Sequence, residues 1–537
     1  MQTMKKDRIY RKMPGSAGTA FRKYGRPLFV FAAAILAAGC FRDLGNYDYT
    51  EINEAVIGDS GFSSPYNIRI NETLTITPDI TFTLDPEGTG DYTYEWVAVG
   101  QTLYRGERFT IGTGRNLDYV MKLNADNYIL YLKVMDNATG IVYSKDVELN
   151  VMSPYSTGWM MAGEAGGKGQ VDMMSISGDV IFYTGAVTME DGISLGPIEC
   201  IWVDNDTYTS DDRVYIGTAS GSYKLDRSSF SGSAAGDIKY SFAIDPGDAA
   251  YSLTDIQQIS SENSGSIRVA SVINGRAHLI SSEGGMIENS FSFYRDADGN
   301  QRDIHVADRI ICNHSQSGCR TMVFYNTDDR EFCYISGLSV EGMKTLGDGE
   351  DDLFSWKTGN DFPETGGLDF VSCCNSFFSN GQSAAILKVP DTDTYYIYCI
   401  TANRNQPDMI KNGRYAVDNG TAPGFGDSPS YAMTTNHGYM LYASGNTLYG
   451  YNFRKEPQEC TVLHTFDAPV CFIMADNETE EKYDDCIYVA TYDDSRERSG
   501  ILYKFRMTDS PDRMELTLAE TWDEGLLKIH DMYYKTF

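Results

Sequence analysis

The stretch YRDADGNQRD at residues 294–303 brings the oxygen-bearing side chains of Asp296, Asp298, Asn300 and Asp303 close together along the chain. Ca2+ favours such oxygen-rich loops, which makes these four the candidate cation ligands and Ca2+ the one cofactor the residues suggest. The spacing departs from an EF-hand loop: Gly299 stands at the fourth position rather than the sixth, and no Glu stands at the twelfth. An Asp-Gly pair equally makes a hairpin turn, so a Ca2+ loop and a plain hairpin are both open here. The acidic run GDGEDD (347–352) reads more simply as a solvated loop than as a ligand set.

Other chemistry is thinner. GEAGGKG (163–169) has a phosphate-loop flavour, but Ala162 stands six residues before Lys168 and Gly169 follows it. A P-loop needs Gly and Ser/Thr at those places to cradle phosphate and hold Mg2+. IGTGRN (111–116) supplies two glycines of a dinucleotide fingerprint in a strand context, without a following helix. Both read as turns. No H-E-x-x-H and no C-x-x-C occurs. The six histidines, at 278, 305, 314, 437, 464 and 530, lack partners at helical metal spacing, although Asp303 stands two residues before His305. Each reads as a structural or surface residue, unless the fold gathers several at one point.

The elements that would position these groups are strands. Short alternating runs bounded by Gly, Asn, Asp and Ser fill the chain, and helical periodicity is nearly absent. Residues 51–152 contain NETLTITPDITF, YTYEWVAV and NYILYLKVMDNATGIVYSKDVELNVM, the number and length of strands expected of an immunoglobulin-like sandwich. In YTYEWVAV, Tyr92, Tyr94 and Trp96 alternate onto one face and offer rings to a core. From 153 to 537 the rhythm changes to strand–turn–strand units about 40–50 residues apart, the period of propeller blades. We count seven blades, with six or eight open, and expect LLKIHDMYYKTF to close the ring on the first. The fold class is therefore all-β, a sandwich followed by a propeller. The tyrosines of DTYYIYC (393–399) and HGYMLYASGNTLYGYNF (437–453) either stack against a ligand in a groove or serve the pleated core.

Residues 1–39 carry eight Lys/Arg against one acid and end in an eleven-residue apolar run, Leu28 to Ala38. That is the make-up of a secretory signal, too short for a membrane-spanning helix. Small residues directly before Cys40 mark it as a lipoprotein signal, with Cys40 the lipidated first residue of the mature chain and residues 40–50 its tether. Several acyl chains together give a stable anchor. The mature chain would hold 36 basic and 74 acidic residues, a net charge near −38, which disfavours nucleic acid as a partner. Ten further cysteines lie mostly in strand-like runs and read as buried thiols, with one or two disulfides open. Adjacent Cys373 and Cys374 should point to opposite faces of a strand.

The run CFRDLGNYDYTEINE (40–54) resembles the opening of the PKD-like family lipoproteins of Bacteroidota, and the resemblance continues through YTYEWVAV, VMDNATGIVYSKDVELNV and GWMMAGEAGGKGQVDMMSI. It implies an outer-membrane lipoprotein working beside a SusC/SusD-like nutrient-uptake pair. It implies no catalytic residues. The expected function is binding or scaffolding in uptake, with a glycan or peptide ligand, on either face of the outer membrane. The alternatives are a propeller hydrolase or lyase with acids and His meeting at its axis, and a structural subunit of an envelope complex.

Overall fold

The computed structural model describes residues 51–536 apart from 103, 177–179, 206–212, 246, 248–249, 260–267, 282–283, 316–320, 337–340, 351–352, 404–408 and 509–512. The signal segment, Cys40 and the tether lie outside the described residues.

The first domain is the sandwich. Strands Tyr66–Arg69, Val142–Met152, Asp126–Asp136, Tyr92–Gly100 and Arg108–Gly112 form one sheet in that spatial order. Two further pairs, Ala55–Ile57 with Ile80–Phe82 and Thr73–Ile76 with Leu117–Val120, close a single core with it. Strand Asp126–Asp136 buries every second residue, as a half-covered sheet requires. Tyr92, Tyr94 and Trp96 do share the core face. The Trp96 indole N–H donates to the Gly114 carbonyl at 2.9 Å, so IGTGRN is the turn that satisfies a buried tryptophan.

Seven antiparallel sheets of three or four strands follow among the described residues. Blade 1 combines residues 158–183 with the C-terminal strand Lys528–Lys535. Blades 2 to 7 are built from residues 198–226, 253–279, 311–345, 369–416, 432–465 and 470–526. The first blade is closed as expected: Lys528–Lys535 pairs antiparallel with Gly158–Ala165, from Gly158 opposite Lys535 to Glu164 opposite Lys528. GEAGGKG is its hairpin, with Gly166 and Gly167 at φ +58° and +75° and Ala165 opposite Lys168. Such a two-residue turn needs positive φ at both places, which glycine alone takes without strain.

Each neighbouring pair of blades shares its own apolar cluster, including the last with the first. The alternation of a strand buried on both faces explains this. In Gly158–Ala165, Trp159 and Met161 meet blade 7 while Met160 and Ala162 meet blade 2. Cys373 and Cys374 likewise part, one toward blade 4 and one toward blade 6. The nine cysteines among the described residues are all free thiols, six of them buried. Seven sheets joined by seven shared clusters make a closed ring of blades, so the protein is an all-β sandwich carrying a seven-bladed propeller.

Candidate functional site

The innermost strands of the blades surround an axial cavity of about 240 Å³. Convergence of charge does occur there. Asp531 of blade 1, Asp255 of blade 3 and Arg309, just before blade 4, all line it, with His314 and His530 at its wall. Burial raises the Asp531 carboxyl to about 6 against the pull of Arg309, and burial raises Asp255 too. Burial pushes the His314 imidazole down to about 4, helped by the charge of Lys482.

The carboxylates nonetheless have structural work. Asp531 accepts the Ile201 backbone N–H of blade 2 at 2.9 Å and its neighbour Met532 N–H at 2.9 Å. Asp255 accepts the Ile310 N–H at 2.7 Å, on the approach to blade 4, and the Gln257 amide at 2.9 Å. Asn375 and Ser430 repeat the arrangement. Asn375 donates to the Ile310 carbonyl and accepts from the Cys312 N–H, while the Ser430 hydroxyl both accepts from and donates to the Ile473 backbone. At each of these places a side chain of one blade satisfies backbone groups of another near the axis. His314 Nε2 lies 3.0 Å from the Cys312 sulfur and 3.1 Å from Gln257 Oε1. These side chains lace neighbouring blades together around the axial cavity.

Asp531 and His314 should oppose each other in acid. His314 has a folded pKa of about 4, below its ordinary 6.5, so its share of stability is lost as pH falls through that window. Asp531 has a folded pKa of about 6, above its ordinary 3.8, so it costs stability above pH 6 and returns it as pH falls toward 3.8. Each amounts to roughly 3 kcal/mol. Urea unfolding between pH 7 and 4 should therefore show His314→Gln gaining on the parent as pH falls and Asp531→Asn losing ground. Parallel profiles for all three proteins would refute the assignment.

The candidate Ca2+ loop is a hairpin. Phe293–Arg295 pairs with Gln301–Asp303. The Asp296 carboxylate is spent on the turn, accepting the Asp298 and Asn300 N–H groups at 3.0 and 2.8 Å and the Asn300 amide at 2.9 Å. Asp303 points instead to Gln301 and to Arg276, at 2.7 and 3.5 Å. Asp296, Asp298, Asn300 and Asp303 thus share a hairpin, but Asp296 and Asp303 spend their oxygens on different partners. Of GDGEDD, Asp348 accepts from Ser355 Oγ and the Trp356 N–H, while Asp351 and Asp352 lie outside the described residues. His305 finds Asp328 at 3.2 Å, and His437 finds Asp485 at 3.2 Å.

The tyrosine-rich runs serve the core. Tyr395, Tyr398, Tyr439, Tyr442 and Tyr451 are all buried between blades, as β-sheet pleats favour. Sequence reasoning also passed over Gly192-Ile-Ser-Leu-Gly196, which has the G-x-S-x-G spacing of a nucleophile elbow. That elbow needs a strand before it and a helix after it. Here Ser194 is exposed on a loop that runs into strand Ile198–Val203, so the spacing is coincidental.

The larger cleft lies at the seam where the ring closes. It has a volume of about 510 Å³ and is lined from blade 1 by Trp159, Met174 and Tyr534, and from blade 7 by Tyr488, Lys504, Glu520 and Trp522. The segment Glu478–Glu481 also lines it. The Trp159 ring sits 5.0 Å from Tyr488 and 5.2 Å from Tyr534, which fixes an aromatic floor. Lys504 Nζ lies 2.8 Å from Glu481 and 3.5 Å from Glu520. Beside the floor, Asp476, Glu481 and Cys486 form the one trio of metal-capable atoms within 4.8 Å of one another among the described residues. Its charges are already answered: Glu481 holds Lys504, and Asp476 accepts from the Glu478 and Thr479 backbone and the Thr479 hydroxyl. Trp159 and Trp522 come from opposite ends of the domain, so no local spacing could have announced this cleft.

Comparison with known proteins bears on the N-terminal part. Residues 40–196 match the PKD-like family. The match takes in the sandwich and runs through the first-blade hairpin, the region that carries the motifs of the resemblance. No curated protein matches the chain in sequence. Among solved structures, a quinoprotein alcohol dehydrogenase-like protein from Bacteroides thetaiotaomicron aligns over 90% of this chain and 100% of its own, at 13% identity and a TM-score of 0.40. PorZ, a surface component of the type-IX secretion system of Porphyromonas gingivalis, aligns over 74% of this chain and 58% of its own, at 10% identity and a TM-score of 0.21. The ring of seven blades rests on the strand ladders and the shared clusters described above.

Proposed function

We propose that the protein is a binding component of a SusC/SusD-like nutrient-uptake system, held to the outer membrane by lipid on Cys40, and that its propeller takes a glycan or peptide ligand. The sandwich acts as the spacer between anchor and propeller. The observation that carries the binding reading is the aromatic-floored cleft between blades 7 and 1. Its size lies in the usual range for small-ligand sites, and its walls combine large flat apolar faces with a few polar groups. The axial acids support binding over the hydrolase or lyase alternative, because Asp531 and Asp255 direct their oxygens at backbone N–H groups of the ring.

Isothermal titration of the mature chain against oligosaccharide and peptide panels tests the reading. Saturable binding is expected, weakened about tenfold or more by Trp522→Ala with the melting transition of the propeller retained. In cell fractionation the Cys40→Ala variant should leave the membrane fraction. Absence of binding to either panel would overturn the cleft as a ligand site, and membrane retention of Cys40→Ala would overturn the anchor.

A further inference from the structure

We infer that the cleft between blades 7 and 1 receives a basic peptide segment, with a lysine or arginine side chain laid over the aromatic floor and its charged head among the acids; this rests on the binding reading above. Charge is the first argument. The lining carries four carboxylates, Glu478, Glu480, Glu481 and Glu520, against one ammonium, Lys504. Lys504 is already committed to Glu481 and Glu520, and Glu481 also meets Arg506 at 3.3 Å. Glu478 and Glu480 stand exposed at the rim. A cleft with a net excess of one sign and low-dielectric walls concentrates its field and draws cations in. A neutral sugar could offer hydroxyl donors to these carboxylates but no charge to balance their excess, as a cation does.

The floor supplies the second argument. Long basic side chains lay their apolar stems on flat surfaces and keep their heads hydrated or paired, and a cation over a tryptophan or tyrosine face is attracted by the ring. Trp522 and Tyr534 are half-buried and keep part of their surface toward the cleft. A bare metal ion would not engage the rings, and the neighbouring Asp476 and Glu481 already have their partners.

The test is isothermal titration of the mature chain with three probes: a capped Gly-Lys-Gly-Lys-Gly peptide, the same peptide with both lysines acetylated, and a panel of neutral oligosaccharides. Acetylation keeps the backbone and stem and removes the charge. The lysine peptide should bind, and its affinity should fall as salt rises from about 0.05 to about 0.3 M. Acetylation should cost about tenfold or more, and Glu480→Gln, at an exposed position, should cost several-fold. Equal binding of the acetylated peptide would overturn the inference and leave the binding reading standing. So would a neutral oligosaccharide that binds through Trp522 while the lysine peptide does not. If no probe binds, both fall together.

Discussion

A chain ending at Leu527 should lose the cooperative unfolding of the propeller while the sandwich still melts on its own. The missing strand, Lys528–Lys535, supplies the full inner edge of blade 1. It also buries Ile529 completely and Met532 to within 4% of its surface, in the cluster that joins blade 7 to blade 1. Full burial of such a side chain is worth about 1.5–3 kcal/mol, so these two alone contribute roughly 3–6 kcal/mol. The strand's backbone pairing adds to this. A domain stable by about 5–15 kcal/mol cannot spare that much, and an open ring would leave two blade faces in water. Calorimetry should show two transitions in the parent and, in the truncated chain, one sandwich transition with the second lost or broad. Limited proteolysis should then leave a fragment near residues 51–152. A truncated chain with an unaltered upper transition would mean that the ring does not depend on its closing strand.

That closing strand was legible in the sequence because LLKIHDMYYKTF is apolar, alternating and otherwise partnerless. The same period-2 reasoning placed Cys373 and Cys374 on opposite faces and Tyr92, Tyr94 and Trp96 on one. It worked because a blade strand is covered on both sides and a sandwich strand on one, and both conditions leave a local imprint. The tyrosine clusters were ambiguous for the same reason: Tyr398 and Tyr442 suit a core and a ligand groove equally in composition, and only the neighbouring blade decides. The axial pair and the cleft left no local imprint at all. Asp255 and Asp531 stand 276 positions apart in the chain, and Trp159 and Trp522 are 363 apart. Ring closure brings them together, and spacing along the chain carries no trace of it.

Asp172→Ala should be among the most damaging single substitutions in the propeller. Asp172 lies in blade 1 with no exposed surface and accepts four hydrogen bonds from three donors. Arg498 Nη1, from blade 7, reaches its two oxygens at 3.1 and 3.0 Å. The Gly185 and Leu527 backbone N–H groups reach it at 2.7 and 2.9 Å. The carboxylate therefore fastens blade 7 and the entry of the closing strand to blade 1. Removing one member of a buried ion pair costs about 3–5 kcal/mol, because the other is left uncompensated. Arg498 keeps 29% of its side chain exposed, so water recovers part of that, and the ion-pair loss should fall near the lower figure. Each orphaned backbone N–H adds about 1 kcal/mol. The expected total is thus about 4–5 kcal/mol, read as a shift of the upper calorimetric transition. Asp172→Asn separates the two causes. It retains an oxygen for one N–H but no charge for Arg498, so it should recover only about 1 kcal/mol if charge pairing dominates. The double variant Asp172→Leu with Arg498→Met should be more stable than Asp172→Ala, because no buried charge remains unanswered. A double variant no better than the single would show that the backbone N–H groups, and not the guanidinium, set the strength of this seam.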